Sequence, residues 1–202
     1  ATTAKEVMMV APLSLAFDAA GNLFVGELGT QTDRSFGFDT AVAIVTEALD
    51  RLQTTGRSHG RVMILETMGR YAGWIALHAG LAGGADIILI PELPDRLEEV
   101  ARVCREREAR EHYTLIAIAE GARPEGGQLT VKERIEDSPE PIRLGGVGNV
   151  LRTQLEPLVG CEVRTTILGH VQRGGPPTPF DRVLATQYGH AAAQLVAQGN
   201  FN

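Results

Sequence analysis

Apolar residues along most of this chain alternate between helical spacing and short continuous runs. From about residue 38, apolar positions recur at helical intervals until Gly56, which predicts a helix that ends at a glycine. Further helices are predicted over 71–83, 94–111, 147–158 and 181–198. Between them lie the apolar runs 61–66, 86–91, 113–119 and 161–168, which are typical of parallel strands buried on both faces. Strands separated by helices of this length predict an α/β domain, a three-layer αβα arrangement with a mainly parallel sheet.

Two stretches depart from this alternation. Residues 15–25 read as a strand, a Gly-Asn turn and a second strand, which predicts a short β-hairpin, although a poorly ordered end fits equally well. The composition changes near Thr32, so we expect a separate segment over 1–31 and the α/β domain over 32–202. Residues 121–141 are polar and rich in glycine, proline and glutamate, which predicts a mobile excursion.

Composition narrows the classes of function. The chain has 202 residues and a net charge of −6 with no block of lysine or arginine, which disfavours a nucleic-acid partner. Cys104 and Cys161 lie far apart without metal-ligand spacing, as in reduced cytosolic proteins. No apolar run reaches about 18 residues, so we expect no membrane partner and a cytoplasmic location.

Two loops combine glycine with arginine just after predicted strands. Met68, Gly69 and Arg70 follow the strand 61–66, and a second loop with His170 and Arg173 follows the strand 161–168. The carboxyl ends of parallel strands form the ligand crevice of an open α/β sheet, where backbone N–H groups and guanidinium groups can bind an anion. In an acidic chain, these loops indicate a phosphorylated small molecule.

Other polar residues at strand ends leave alternatives open. Arg61 and Arg164 begin strands, and any one arginine alone is also compatible with a solvated surface charge. Glu120 ends the strand 113–119, where its carboxylate can accept hydrogen bonds from sugar hydroxyls or cap the following turn. His170 can donate to a phosphate or a hydroxyl, or be structural. Residues 145–148 resemble a phosphate loop only weakly and are interpreted as a turn into a helix.

Five groups of residues form a recognisable pattern in order and spacing over about Thr32 to Gly199. They are Ser35-Phe36-Gly37-Phe38-Asp39-Thr40-Ala41, Met68-Gly69-Arg70 with Tyr71-Ala72-Gly73-Trp74, Ala82-Gly83-Gly84-Ala85-Asp86 with Ile90-Pro91-Glu92, Ala119-Glu120-Gly121, and Leu168-Gly169-His170-Val171-Gln172-Arg173-Gly174-Gly175. Together these segments resemble the 6-phosphofructokinase family. The sequence around Trp74 is similar to the subgroup whose members use either ATP or pyrophosphate.

This resemblance implies two similar α/β lobes in the whole protein, of which this chain covers mainly the sugar-phosphate lobe. It implies phosphoryl transfer from ATP or pyrophosphate, with Mg²⁺, to the 1-hydroxyl of fructose 6-phosphate in glycolysis. It also implies a homo-oligomer, a dimer or a tetramer, whose sites are shared across the subunit interface.

The resemblance also implies roles for individual residues. Met68, Gly69 and Arg70 would bind fructose 6-phosphate, and Arg70 would assist the transfer. Glu120 would contact the sugar hydroxyls, and His170 with Arg173 would hold the 6-phosphate. Arg61 and Arg164 match arginines that the family lends to the site of a neighbouring subunit.

The chain also departs from the family pattern. The Gly-Gly-Asp nucleotide loops have no counterpart, and residues 24–28 stand where the family's Thr-Ile-Asp-Asn-Asp segment, with its catalytic base and magnesium ligand, should lie. We therefore expect a fragment or rearranged product, truncated at both ends of the homologous region and inactive alone. The alternatives are a non-catalytic sugar-phosphate-binding or regulatory remnant, and a fragment that does not fold independently.

Overall fold

A computed structural model of the chain describes residues 12–17, 23–27, 36–134 and 142–199. The strands are β1 (Pro12–Phe17), β2 (Leu23–Glu27), β3 (Val62–Thr67), β4 (Ile87–Leu89), β5 (Thr114–Ala119), β6 (Val131–Arg134), β7 (Ile142–Leu144) and β8 (Val163–Ile167). The helices are α1 (Phe38–His59), α2 (Trp74–Ala82), α3 (Leu97–Glu111), α4 (Val147–Leu155) and α5 (Pro179–Ala197), with 3₁₀ turns at Glu156–Leu158 and Gly169–Arg173.

The chain divides into two compact units, Ala41–Gly175 and Ala1–Thr40 with Pro176–Asn202. The larger unit is built on a four-stranded sheet in the order β4-β5-β3-β8. All its neighbouring strands are parallel, and Val62 of β3 lies in register with Thr114 of β5 and Val163 of β8. The prediction of a parallel α/β sheet is confirmed.

Hydrophobic clusters on both faces of the sheet give the larger unit its three layers. Successive side chains of a strand point to opposite faces, so β3 contributes Val62 and Ile64 to one cluster and Met63 and Leu65 to the other. The first cluster includes residues of α3 and α4, and the second includes residues of α1 and α2. Both central strands, β3 and β5, are buried along their whole length, as their continuous apolar runs predict.

The thiol of Cys104 belongs to the first of these clusters. It is 1% exposed, and burial raises the pKa of Cys104 to about 12. At neutral pH this thiol is protonated and therefore a poor nucleophile and metal ligand. Its position in the core favours a packing role.

Two predicted segments differ from the structure. Residues 121–141 are predicted to form a mobile excursion, but within them β6 pairs antiparallel with β7, with Val131 opposite Leu144. Residues 135–141 of the predicted excursion lie outside the described residues. The strand sequence Val131–Arg134 carries three charged residues and one apolar one, so no hydrophobic pattern reveals it. The helix predicted over 147–158 ends at Leu155 and continues as the 3₁₀ turn, where Pro157 provides no backbone N–H.

In the smaller unit, β1 and β2 pair antiparallel, as the predicted hairpin requires. The Gly21-Asn22 turn predicted between them lies outside the described residues. The same unit contains the buried Asp181 on α5, whose carboxylate accepts hydrogen bonds from the backbone N–H groups of Gly37 and Thr40 at 3.1 and 2.8 Å. Asp181 thus caps the first turn of α1, because these N–H groups have no partner within the helix.

In the described part of the chain, no helix combines the length and the apolar character that spanning a bilayer would need.

Candidate functional site

The predicted site residues lie at two opposite ends of the parallel sheet. Six of them stand at the carboxyl ends of β3, β5 and β8: Met68, Gly69, Arg70, Glu120, His170 and Arg173. Arg61 and Arg164 stand at the amino ends of β3 and β8. The two groups are therefore separated by the length of β3, which is about 20 Å at a rise of 3.3 Å per residue.

Glu120 fixes the backbone of the Met68–Arg70 loop. Its Oε1 accepts hydrogen bonds from the N–H groups of Gly69 at 3.0 Å and Arg70 at 2.7 Å, and the residue is only 8% exposed. Two N–H groups that the sequence suggested for an anionic ligand are thus occupied by a carboxylate of the chain itself. The printed contacts of the Glu120 carboxylate are with the loop after β3, whereas the capping alternative placed them on the turn that follows β5.

The Arg70 backbone adopts an unusual conformation in this loop. Its φ is +55°, in the left-handed region that non-glycine residues rarely adopt. Gly121 packs directly against it, since a Cβ at that position would lie 2.0 Å from the Arg70 carbonyl oxygen. The loop after β3 and the turn after β5 therefore fit together only with a glycine at this contact.

Gln172 joins the two glycine–arginine loops, a role that the sequence does not reveal. Its Oε1 accepts a hydrogen bond from the Met68 N–H at 2.9 Å, and its Nε2 donates to the Met68 carbonyl at 3.3 Å. Gln172 is 2% exposed, whereas its neighbours Val171 and Arg173 are exposed. An amide between exposed residues gives no sequence signal for burial, so only the fold identifies this contact.

The second loop forms the 3₁₀ turn Gly169–Arg173 directly after β8. His170 and Arg173 are exposed on this turn, beside the carboxyl end of β3. Gly169 has a φ of +53°, which allows the chain to turn immediately after the strand. An imidazole and a guanidinium on an exposed turn are accessible to a phosphate from solvent.

At the opposite end of the sheet, one carboxylate pairs with both remaining arginines. Glu162 Oε2 lies 2.5 Å from Arg61 Nε, and Glu162 Oε1 pairs with Arg164. Ion pairs as exposed as these contribute at most about 1 kcal/mol to stability. Their effect is to hold two guanidinium groups side by side on one surface. Glu162 is a second residue to which the sequence assigns no role.

A buried glutamate fills the backbone turn that resembles a phosphate loop. Glu66 is 2% exposed and accepts hydrogen bonds from the N–H groups of Gly146 at 2.7 Å and Gly148 at 2.8 Å. Gly146, with a φ of +85°, is the N-cap of α4. The interpretation of residues 145–148 as a turn into a helix is confirmed. The donors that a phosphate would need there are satisfied by Glu66.

Carboxylates near the carboxyl ends of the strands do not form a metal site in the described residues. No group of three or more His, Cys, Asp or Glu that could hold a metal ion occurs among them. Both carboxylate oxygens of Glu66 and Oε1 of Glu120 accept backbone N–H groups, whereas Mg²⁺ requires oxygen ligands left available for it. The described residues therefore do not fit a magnesium site.

Comparison with known proteins gives consistent matches along most of the chain. The family model described as Phosphofructokinase matches residues 30–196. The ATP-dependent 6-phosphofructokinase of Chloroflexus aggregans is 55% identical over 170 residues, which are 83% of this chain and 46% of that protein. The pyrophosphate–fructose 6-phosphate 1-phosphotransferase of Amycolatopsis methanolica is 52% identical over 170 residues, 84% of this chain and 50% of that protein.

Solved structures agree with these matches. Phosphofructokinase from Saccharomyces cerevisiae superposes with a TM-score of 0.68 at 36% identity, covering 83% of this chain and 21% of that one. A pyrophosphate-dependent phosphofructokinase from Marinobacter aquaeolei shares the fold, with a TM-score of 0.62 at 24% identity over 81% of this chain and 39% of that one.

The chain thus spans about half the length of the curated relatives it matches. The family model covers more than four fifths of it and includes both glycine–arginine loops, Glu120 and the Arg61–Glu162–Arg164 group. On these matches, the chain belongs to the phosphofructokinase family.

Proposed function

We propose that this chain is the fructose 6-phosphate-binding part of a cytoplasmic glycolytic phosphotransferase. The whole enzyme would transfer a phosphoryl group from ATP or pyrophosphate, with Mg²⁺, to the 1-hydroxyl of the sugar. Relatives at similar identity are named for both donors, so the proposal leaves the donor open between ATP and pyrophosphate. We expect this chain alone to bind the sugar phosphate without turning it over.

The observation that carries this proposal is the arrangement at the carboxyl ends of β3, β5 and β8. Glu120 and Gln172 hold the Met68–Arg70 loop through its backbone, so this loop and the turn bearing His170 and Arg173 form one connected surface. A sugar phosphate has a polar sugar end and an anionic end, and this surface has a polar loop beside an exposed His–Arg pair. In the proposed site, Arg173 and His170 bind the 6-phosphate, while Met68, Gly69, Arg70 and Glu120 line the sugar.

Arg61 and Arg164 lie at the other end of the sheet, so we propose that they complete the site of a second copy of the chain. Their pairing with one carboxylate presents two guanidinium groups together, a suitable arrangement for binding a phosphate. In the resulting homo-oligomer, a dimer or a tetramer, each copy contributes one end of its sheet to its own site and the other end to its neighbour's.

Calorimetric titration of fructose 6-phosphate into the purified chain tests the binding role. We expect saturable binding that Arg173→Ala weakens by about tenfold or more, since a hydrogen bond to a charged group is worth roughly 1.5–3 kcal/mol. Arg51→Ala is the matched control, because Arg51 is exposed on α1 and pairs only with Glu47 of the same helix in the described contacts. Equal effects of the two substitutions, or no binding by the unmodified chain, would reject the role.

The alternative is a non-catalytic sugar-phosphate-binding or regulatory remnant. This alternative is supported by the departures from the family pattern in the first 31 residues, because residues 24–28 replace the segment that carries the family's catalytic base. A chimera separates the two: residues 30–196 of this chain replace the matched segment of the Chloroflexus aggregans enzyme. Formation of fructose 1,6-bisphosphate, lost again with Arg70→Ala, supports the enzyme; a folded chimera that binds the sugar phosphate without turnover supports the remnant.

A further inference from the structure

We infer that Gln172 is a positioning residue that sets the separation between the sugar end and the phosphate end of the proposed site. The inference rests on the proposed function, and it concerns a residue that does not itself touch the ligand. Gln172 is only 2% exposed, and both polar ends of its amide are bonded to the protein backbone.

Side chains satisfy three successive backbone N–H groups of the Met68–Arg70 loop. Successive N–H groups of Met68, Gly69 and Arg70 all donate to side chains, the first to Gln172 and the other two to Glu120. In a loop at a strand end, backbone N–H groups commonly donate hydrogen bonds to water. Here the loop is held from two sides, by one side chain from the end of β5 and one from the turn after β8.

Gln172 forms two hydrogen bonds with the backbone of Met68. The amide accepts from the Met68 N–H and donates to the Met68 carbonyl, so it pairs with that residue as a neighbouring strand would. This adds a contact between the segments after β3 and β8 beyond their last ladder pair, Glu66 with Ile167. Gln172 is flanked by Val171 and by Arg173, so the pairing fixes where the phosphate-binding turn sits relative to Met68.

The bonds of Gln172 couple the ligand contacts made by the Met68–Arg70 loop to those made by the His170–Arg173 turn. Fructose 6-phosphate must reach the Met68–Arg70 loop and the His170–Arg173 turn at the same time, and misplacing one contact lowers affinity even when all groups are present. Inorganic phosphate needs only the turn. Loss of Gln172 should therefore affect the sugar phosphate and leave free phosphate almost unaffected, whereas general damage to the fold would weaken both.

The test measures binding of fructose 6-phosphate and of inorganic phosphate to the full chain and to Gln172→Ala. We expect the sugar phosphate to bind at least about tenfold more weakly and inorganic phosphate to change by less than about twofold. Gln172→Glu keeps the acceptor for Met68 N–H and should give intermediate affinity for the sugar phosphate. Gln187→Ala, an exposed glutamine on α5, should change neither.

Hydrogen exchange of the Met68 amide gives a readout that does not depend on ligand. Protection should be present in the unmodified chain and lost in Gln172→Ala while the melting temperature stays within about 2 °C. If Gln172→Ala lowers the affinity for fructose 6-phosphate and for inorganic phosphate equally, or changes neither affinity, the inference is overturned while the proposed function stands. If the unmodified chain binds neither ligand, the proposed function fails and the inference with it.

Discussion

Three buried acidic side chains among the described residues, Glu66, Glu120 and Asp181, accept hydrogen bonds from backbone N–H groups. Glu66 caps α4, Asp181 caps α1, and Glu120 holds the loop after β3. A buried carboxylate loses its hydration and needs hydrogen bonds from the protein instead. The first turn of a helix offers N–H donors that have no partner within the helix. The backbone sites that attract anions are thus filled internally. In the proposed site, an external phosphate is therefore bound by exposed guanidinium and imidazole groups rather than by these backbone donors.

Glu66→Gln tests this use of carboxylates. The amide oxygen can accept from only one of Gly146 and Gly148, while the new NH₂ group faces the other donor. We expect the free energy of unfolding, measured by urea titration, to fall by about 1.5–3 kcal/mol.

Glu47→Gln is the matched control for that measurement. Its carboxylate pairs with Arg51 one helical turn away and is exposed, so the same substitution should change the free energy by less than about 0.5 kcal/mol. Similar losses at the two positions would mean that the contacts of Glu66 do not stabilise the fold.

Among the elements, the turns at the carboxyl ends of the strands are constrained by close backbone approaches. Gly121→Ala would place a methyl group 2.0 Å from the Arg70 carbonyl oxygen, so the loop after β3 must move. We expect a loss of about 1–3 kcal/mol in the free energy of unfolding, together with weaker binding of fructose 6-phosphate.

Gly189→Ala makes the same chemical change but should raise the free energy of unfolding instead of lowering it. Gly189 lies inside α5, and a Cβ there would have no atom within 4 Å. Removing a helical glycine should stabilise the chain by about 0.5–1 kcal/mol, without effect on sugar-phosphate binding. A stabilising effect at Gly121 would contradict the packing inferred for the Arg70 loop.

The sequence predicts the elements of the larger unit well, because its central strands are continuous apolar runs. β3 and β5 begin and end within about one residue of the predicted bounds. Where charged residues form a strand, as in Val131–Arg134, no hydrophobic period exists and the sequence signal disappears. The β6–β7 pair is therefore known only from the structure.

The candidate site could be predicted only in part for a similar reason. Arginine and glycine beside strand ends stand out in a sequence, and the structure places Met68–Arg70, Glu120 and the 170–173 turn at one end of the sheet. Gln172 and Glu162 do not stand out, since the residues that they contact, Met68 and Arg61, are distant in sequence. The roles predicted for the arginines and for His170 stay predictions until ligand binding is measured.

At the scale of the whole molecule, the separation of the two arginine groups is the strongest constraint on how a site is completed. Arg173 and Arg61 stand at opposite ends of adjacent parallel strands, so one ligand of sugar size cannot reach both within one chain. A closed dimer with a two-fold axis can bring unlike ends of two copies together, and each copy then serves two sites.

Mixing two variants that bind weakly tests this arrangement. Arg61→Ala and Arg173→Ala should each weaken binding of fructose 6-phosphate by about tenfold or more in an oligomer of one variant. In a co-refolded equimolar mixture, a site keeps both arginines when its turn comes from the first variant and its neighbour from the second. Random assembly gives this combination at about one quarter of the sites. The calorimetric stoichiometry of tight binding should therefore recover to about one quarter of the value for the unmodified chain.

The matched control mixes Arg61→Ala with Arg164→Ala. These residues share Glu162 and lie on the same surface, so a neighbour of either kind lacks one of the two guanidinium groups and no site should recover. Recovery in the first mixture alone identifies a site shared between copies. Absence of recovery in both mixtures, with subunit exchange verified by mass spectrometry, would place Arg61 outside the sugar-phosphate site and leave its pairing with Glu162 as a surface contact.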